Sequence, residues 1–430
     1  MWARWVVLLT VIFCCSACGA PSLRHKREVN KLMAAGQFQS AADKLEKVRT
    51  KEYSRRDSVL YDLDSAAILQ EAHQYGESDR RLARAQDRID ELFTQSISAH
   101  AARYLINDLT VPYVPAPYER ALTYYYRAMN FLSQEDIGGA LVEANRAVYY
   151  LDDLRGTKKS GWRDDPFVQY FMSLVFESAG KRDDARIARA RAAEGNAEAV
   201  RNLRTRASDG EGEVVLVHAN GVVPLKKSQT FQVAWGHILV LAQNNREGDK
   251  SISPQVQNAI NAGLLGGSVT IAYPVLEKYT SQIVSSEVVT ASGAVYPTYK
   301  LGDVAESVEQ DLKEKEISTY LRMAARAAGK RIAAVQARHA ATNASKDNTV
   351  GQLSEMFVSF LGAVTERADT RQWFTLPAEM RLARLSLPAG RQDITLRFRD
   401  GYGKIIGEYT FKDVFVKSGG RVYLHYRTAK

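Results

Sequence analysis

Apolar positions along this chain change their period near residue 210: before it they recur at helical spacing, and after it they alternate or run continuously between Gly, Pro and Asn breaks. Tyr118, Leu122, Tyr125, Met129 and Leu132 stand three and four apart, and Tyr124, Ala128 and Phe131 form a second stripe, so this helix is apolar on two sides. Residues 213–218, 230–243, 268–273 and 282–289 are rich in branched and aromatic side chains and read as strands. A long helix is predicted over 304–341, with Val304, Val308 and Leu312 and later Leu321, Ala324 and Ala328 apolar, and a second over 350–366. Strands return at 380–387, 393–399, 405–416 and 421–427. Alternation in Ile394, Leu396 and Phe398, and again in Val422, Leu424 and Tyr426, predicts a sheet with one buried face and one wet face. The expected fold class is α+β, with helices over residues 23–207 followed by a small antiparallel, sandwich-like domain over 213–430 that carries helices inserted at about 304–366.

The helical half repeats itself. Gln37-Phe38-Gln39-Ser40-Ala41, Gln74-Tyr75-Gly76-Glu77-Ser78, Asp136-Ile137-Gly138-Gly139-Ala140 and Lys181-Arg182-Asp183-Asp184-Ala185 each place a turn before a small residue. Twelve residues before the small one stand Val29, Ala66, Ala128 and Ser173, nine before it Leu32, Leu69, Phe131 and Phe176, and seven after it Val48, Ala85, Ala147 and Ala192. Large residues fill the gap between antiparallel helices and small ones let the backbones approach; such a pair buries its face only by stacking on neighbours. The pattern resembles the tetratricopeptide repeat, with spacings of 37, 62 and 45 residues in place of that family's usual length. The resemblance implies a solenoid in which Tyr124, Ala128 and Phe131 pack within a repeat. Tyr125, Tyr126 and Met129 then face the concave surface where such repeats hold peptides, which makes them the candidate partner-binding residues; stacking on the next repeat is the alternative. The longest insertion ends in Val111-Pro112-Tyr113-Val114-Pro115-Ala116-Pro117, which the prolines keep out of a helix, and reads as a spacer or a loop across the solenoid face. Asp164-Asp165 before Pro166 reads as a helix start.

All three cysteines lie in the opening segment: one charge, Arg4, an apolar run from Trp5 to Phe13, then Cys14, and Cys15-Ser16-Ala17-Cys18-Gly19. The run is too short for a bilayer, which needs about 20 apolar residues, and reads as a cleaved secretory signal. Its end resembles the lipobox of bacterial lipoproteins, with Cys15 where an apolar residue is usual. That resemblance makes Cys18 the lipid-modified first residue of the mature chain, with residues 1–17 removed and 18–22 a tether. Gly19, rather than the Asp that retains such proteins at the inner membrane, implies the outer membrane, facing the periplasm, where the cell has two. A diacylglycerol with an amide-linked chain anchors a protein stably. The mature chain then holds no disulfide and must be stabilised by packing alone.

With 430 residues, 45% hydrophobic and 25% charged, the chain has the composition of a globular protein with room for two or three cores. The formal net charge of +9 falls to +8 once Arg4 is removed; residues 19–210 carry 30 basic and 28 acidic groups, and residues 211–430 carry 27 and 21. Without a Lys/Arg run, and with an exported chain, nucleic acid is not an expected partner. The seven histidines are too far apart in sequence for a local metal pair, and no serine elbow, phosphate loop or dinucleotide fingerprint is present. No cofactor, metal site or catalytic residue is implied. His218 and His237 fall in apolar strands, where a satisfied histidine is commoner than a base.

Residues 365–379, Thr-Glu-Arg-Ala-Asp-Thr-Arg-Gln-Trp-Phe-Thr-Leu-Pro-Ala-Glu, with the repeat-containing first half, look like a group of bacterial lipoproteins with degenerate tetratricopeptide-like repeats. The resemblance implies a compartment and an architecture without an activity. The expectation is a membrane-anchored scaffold or adaptor for protein partners in the cell envelope. The alternatives are an envelope enzyme working through dispersed carboxylates and a binder of anionic polymer or lipid.

Overall fold

The computed structural model describes residues 23–96, 111–156, 165–205, 207–234, 237, 268–316, 318–320 and 368–429. Before the first strand run α1 (Leu23–Ala34), α2 (Phe38–Glu52), α3 (Ser58–Glu71), α4 (Tyr75–Ser96), α5 (Pro117–Ser133), α6 (Ile137–Gly156), α7 (Pro166–Ser178) and α8 (Arg182–Asn202). They pair as four hairpins, each packed on the next. The four turns are built alike. A residue at positive φ, Gly36, His73, Glu135 or Gly180, closes the first helix of each pair. The following amide then bonds back to a carbonyl: Gln37 to Leu32, Gln74 to Leu69, Asp136 to Phe131 and Lys181 to Phe176. This left-handed ending satisfies carbonyls that a helix terminus leaves open. Ala41, Ser78, Ala140 and Ala185 come next, each fourth in its helix and buried, so the spacing of turn and small residue seen in the sequence marks four equivalent hairpins.

The two helices of a hairpin bury differently. Along α3 every residue from Val59 to Glu71 except Asp62 is buried, and α5 and α7 are nearly as enclosed, whereas α2, α4, α6 and α8 bury only one stripe, in α6 and α8 mostly alanine. Helices apolar all round are covered on two sides. One cover of α3, α5 and α7 is the row of even-numbered helices; the other is a sheet.

That sheet has the order β10-β1-β7-β6, from β1 (Glu211–Asn220), β6 (Tyr299–Asp303), β7 (Glu379–Pro388) and β10 (Arg421–Thr428). Val215, Val217, Ala219, Met380 and Leu382 share a core with α3–α8. From the opposite face Val214, Leu216, Ala383 and Leu385 pack on Val288, Ile394, Leu396 and Phe398 of a second sheet. The second sheet, in the order β5-β4-β8-β9, comprises β4 (Ser285–Thr290), β5 (Val295–Pro297), β8 (Gly390–Arg399) and β9 (Ile405–Val416). The layers are thus helices, inner sheet and outer sheet. A separate ribbon joins β2 (Leu225–Ala234) to β3 (Ser268–Glu277), and α9 (Val304–Glu314) buries Val304 and Val308.

The α+β class, helices first, matches the expectation; four details differ. The sandwich is not wholly antiparallel, because β1 and β10, the first and last strands, pair in parallel. The second face of the inner sheet is not wet, because the helices cover it. β5 and β6 were missed because strands of three and five residues are too short to show alternation. Strand β2 ends at Ala234, so His237 lies beyond it and is exposed. Residues 321–367, with the later part of the first inserted helix and all of the second, lie outside the described residues.

Candidate functional site

Period two puts Arg421, Tyr423, His425 and Arg427 of β10 on the face opposite Leu424 and Tyr426, and that face lies on the first helices of the hairpins. Arg421 donates to the Leu174 carbonyl at 2.7 Å and to Glu177 at 2.7 Å. The Tyr423 hydroxyl donates to the same carbonyl at 2.9 Å and meets Ser178 at 2.8 Å. His425 bonds through Nε2 to Glu71 of α3 at 2.7 Å and through Nδ1 to the Tyr125 hydroxyl of α5 at 2.8 Å. Buried Arg427 donates to the carbonyls of Gly221 at 2.6 Å and Leu376 at 3.2 Å. Beside them Glu213 of β1 pairs with Arg384 and Arg421, and Arg384 also reaches Glu177 at 2.9 Å. The last strand is therefore held by polar contacts at every second residue, to the helices from Arg421, Tyr423 and His425 and to the strap and the end of β1 from Arg427.

A strap, residues 370–376, runs without regular structure between the helices and β10. Trp373, Phe374 and Leu376 are buried, and the Trp373 ring lies 5.3 Å from that of Tyr126. Buried backbone outside a ladder needs other partners, and the helices supply them. Glu119 of α5 accepts the Trp373 amide at 2.8 Å, and Asp64 of α3 accepts the Thr375 amide at 3.3 Å and the Tyr53 hydroxyl at 2.9 Å. Lys26 of α1 donates to the Thr370 carbonyl at 3.1 Å. Burial pushes the Asp64 carboxyl up and the Lys26 amine down, and the two partly offset one another. Arg371 pairs with Asp369 and Asp57, donates to the Val111 carbonyl at 2.9 Å and lies over the Tyr113 ring. The proline-rich insertion is thus more than a spacer: its end packs on the strap, and the Tyr113 hydroxyl donates to Glu119 at 2.5 Å.

Tyr125, Tyr126 and Met129, expected to face a partner, are 0%, 1% and 2% exposed. The expectation is corrected: these side chains are covered by this chain's own strap and inner sheet, through His425 on Tyr125 and Trp373 on Tyr126. Tyr124 does pack within its hairpin, its ring 5.9 Å from Tyr150, and Phe131 fills the space where a Cβ on Gly139 would stand. Cys18 lies outside the described residues. The residues that sequence reasoning missed are Asp64, Glu71 and Glu119. Their signal was position: polar side chains within helices otherwise buried all round.

Glu71, His425 and Tyr125 form a carboxylate–imidazole–hydroxyl chain, but the hydroxyl end has no room for a substrate. Phe167 and Phe171 crowd the Tyr125 ring at 4.8 Å each, and none of the three residues lines the clefts described below. His218 is fully enclosed, bonded to Ser286 and Thr428 at 2.8 Å each, and burial lowers its pKa, so it is a neutral core histidine. One cleft of about 250 Å³ lies where α7, α8, β6 and α9 meet. On it Asp165 caps α7 by accepting from the amides of Phe167 and Val168, and burial raises its carboxyl to about 6. Two others, of about 320 and 270 Å³, flank the end of α1. Among the described residues no three His, Cys, Asp or Glu side chains are grouped to hold a metal ion, and no helix is long and apolar enough to cross a membrane. No family model, curated protein or solved structure matches the chain.

Proposed function

We propose that this protein is a lipid-anchored, extracytoplasmic scaffold whose helical half is a degenerate tetratricopeptide-like solenoid with its groove occupied in cis. The observation that carries the reading is the strap: a segment without regular structure, held against α3 and α5 by Trp373, Asp64 and Glu119, takes the place a partner peptide would take. The four identical turns support the repeat likeness. The lipobox-like residues ending at Cys18 support the anchor and the envelope address.

With the groove filled, partners meet the exterior, and β9 is the part best suited to a protein. It is an edge strand of 12 residues. Ile405, Ile406 and Phe415 are exposed along it, Tyr402 stands free in the turn before it, and Tyr409 turns inward to stack on Tyr426 at 4.2 Å. Unpaired strand edges with outward apolar side chains recruit further strands or apolar partners.

Photo-crosslinkers placed in the cell at Ile405 and Phe415, with exposed Tyr149 of α6 as control, test the reading. Reproducible protein adducts from the β9 positions are expected. Adducts only with lipid, or none from any position, would overturn it. Metabolic palmitate labelling tests the anchor separately: wild type should label and Cys18→Ser should not.

A further inference from the structure

Charge is spread unevenly along the helices. Residues 23–57, the first hairpin and the turn after it, carry ten basic and five acidic groups, whereas residues 58–210 carry 20 and 23. The end beside the tether is basic and the rest of the array acidic, a division hidden when the half is counted as a whole. Periodicity orders the basic groups. Arg24, Arg27 and Lys31 make one stripe on α1, opposite buried Val29 and Met33. Lys44, Lys47 and Lys51 make another along α2, off the line of buried Ala41 and Leu45. Five of the six are exposed, and Lys44 is partly so. Glu28 lies between the stripes, bonded to Arg24 at 2.9 Å and paired with Lys44, and Arg27 pairs with Glu277. Among the described residues Lys31, Lys47 and Lys51 have no carboxylate at ion-pair distance.

Position selects the ligand. Leu23 is five residues from Cys18, a distance that spans at most about 18 Å when fully extended. Once Cys18 is acylated, the covalent link keeps the start of α1 within that reach of the headgroups, and most of the hairpin lies within one or two helix lengths of them. Attraction of exposed cations to an anionic leaflet acts over about one Debye length, roughly 10 Å at ordinary salt.

We propose that the two stripes of the first hairpin form a membrane-docking surface for anionic phospholipid headgroups, orienting the molecule with α1 and α2 against the leaflet and its acidic hairpins farther away. The proposal rests on the anchored reading but is tested without the lipid. Every core side chain described lies beyond Leu23, so the chain from position 18 onward, carrying Cys18→Ser, serves as the protein.

Its binding to vesicles of phosphatidylglycerol with phosphatidylcholine is compared with binding to phosphatidylcholine alone. Binding to the anionic vesicles only, weakening as salt rises, is expected. Replacing Lys31, Lys47 and Lys51 together by Gln should weaken it roughly 100-fold, at about fivefold per cation. Replacing exposed Lys404, Lys412 and Lys417 of the outer sheet by Gln should leave it unchanged. Equal binding to neutral vesicles, equal loss in the two triple variants, or retention on heparin without vesicle binding would overturn the proposal. Failure of palmitate labelling would refute the anchor without changing any of these vesicle results.

Discussion

The inner and outer sheets contain four strands each and share a core, yet they sit in different surroundings. In the inner sheet β1 is buried at every position after its first residue; in the outer sheet β9 is buried only at Val416. The inner sheet lies between helices and the outer sheet, so β1 and β7 at its centre have a packing partner on both faces. The outer sheet has one dry face and one wet one. The difference teaches that a second cover need not be apolar. Strand β10 alternates like a half-wet strand, but its polar face meets Glu177, Ser178, Glu71 and Tyr125 rather than solvent.

Placing a charge on each sheet is the strongest way to break the comparison. Val215→Asp buries an unpaired carboxylate between inner sheet and helices and should cost more than about 4 kcal/mol, leaving little folded chain. Phe415→Asp on β9 should change stability by no more than about 0.5 kcal/mol. Thermal unfolding monitored by circular dichroism reads both. The strap comes next: Trp373→Ala removes a large buried ring between α5 and the sheet and should destabilise by about 3 to 5 kcal/mol.

Asp165 adds a pH test at the edge of the inner layer. Its carboxyl titrates near 6 in the fold against an ordinary 3.8, so between those values the native state holds more protons than the unfolded one. Stability should therefore fall as pH rises from about 4 to 6, by roughly 3 kcal/mol if this group acts alone. Asp165→Asn keeps a capping side chain and should flatten that slope in denaturant titrations. The smallest effect is at a hairpin turn. Glu135 adopts φ 60° where two of the other three turns use glycine, and Glu135→Gly should gain up to about 1 kcal/mol, read as a higher denaturation midpoint.

Much of the fold was legible because local chemistry announces it. The turn-and-small-residue spacing locates four hairpins, and Ile394, Leu396 and Phe398 declare the dry face of β8. The two apolar stripes of α5 showed that something covers it twice. The identity of the second cover was not legible, because contacts such as Glu119 to Trp373 and Asp64 to Thr375 join residues 254 and 311 positions apart. A carboxylate in a helix looks the same in sequence whether it meets water or a strap amide. The strap itself has no period to read, since its backbone is satisfied by side chains rather than by a ladder.

Native-state hydrogen exchange on the strap tests most directly whether that segment is a fixed cover of α3 and α5. The amides of Trp373 and Thr375 should exchange only through global unfolding, with the same protection free energy as the central amides of β1 and α3. Exchange of the strap amides at rates near those of free peptide, while β1 and α3 stay protected, would contradict the account and show the strap to be detachable from α3 and α5.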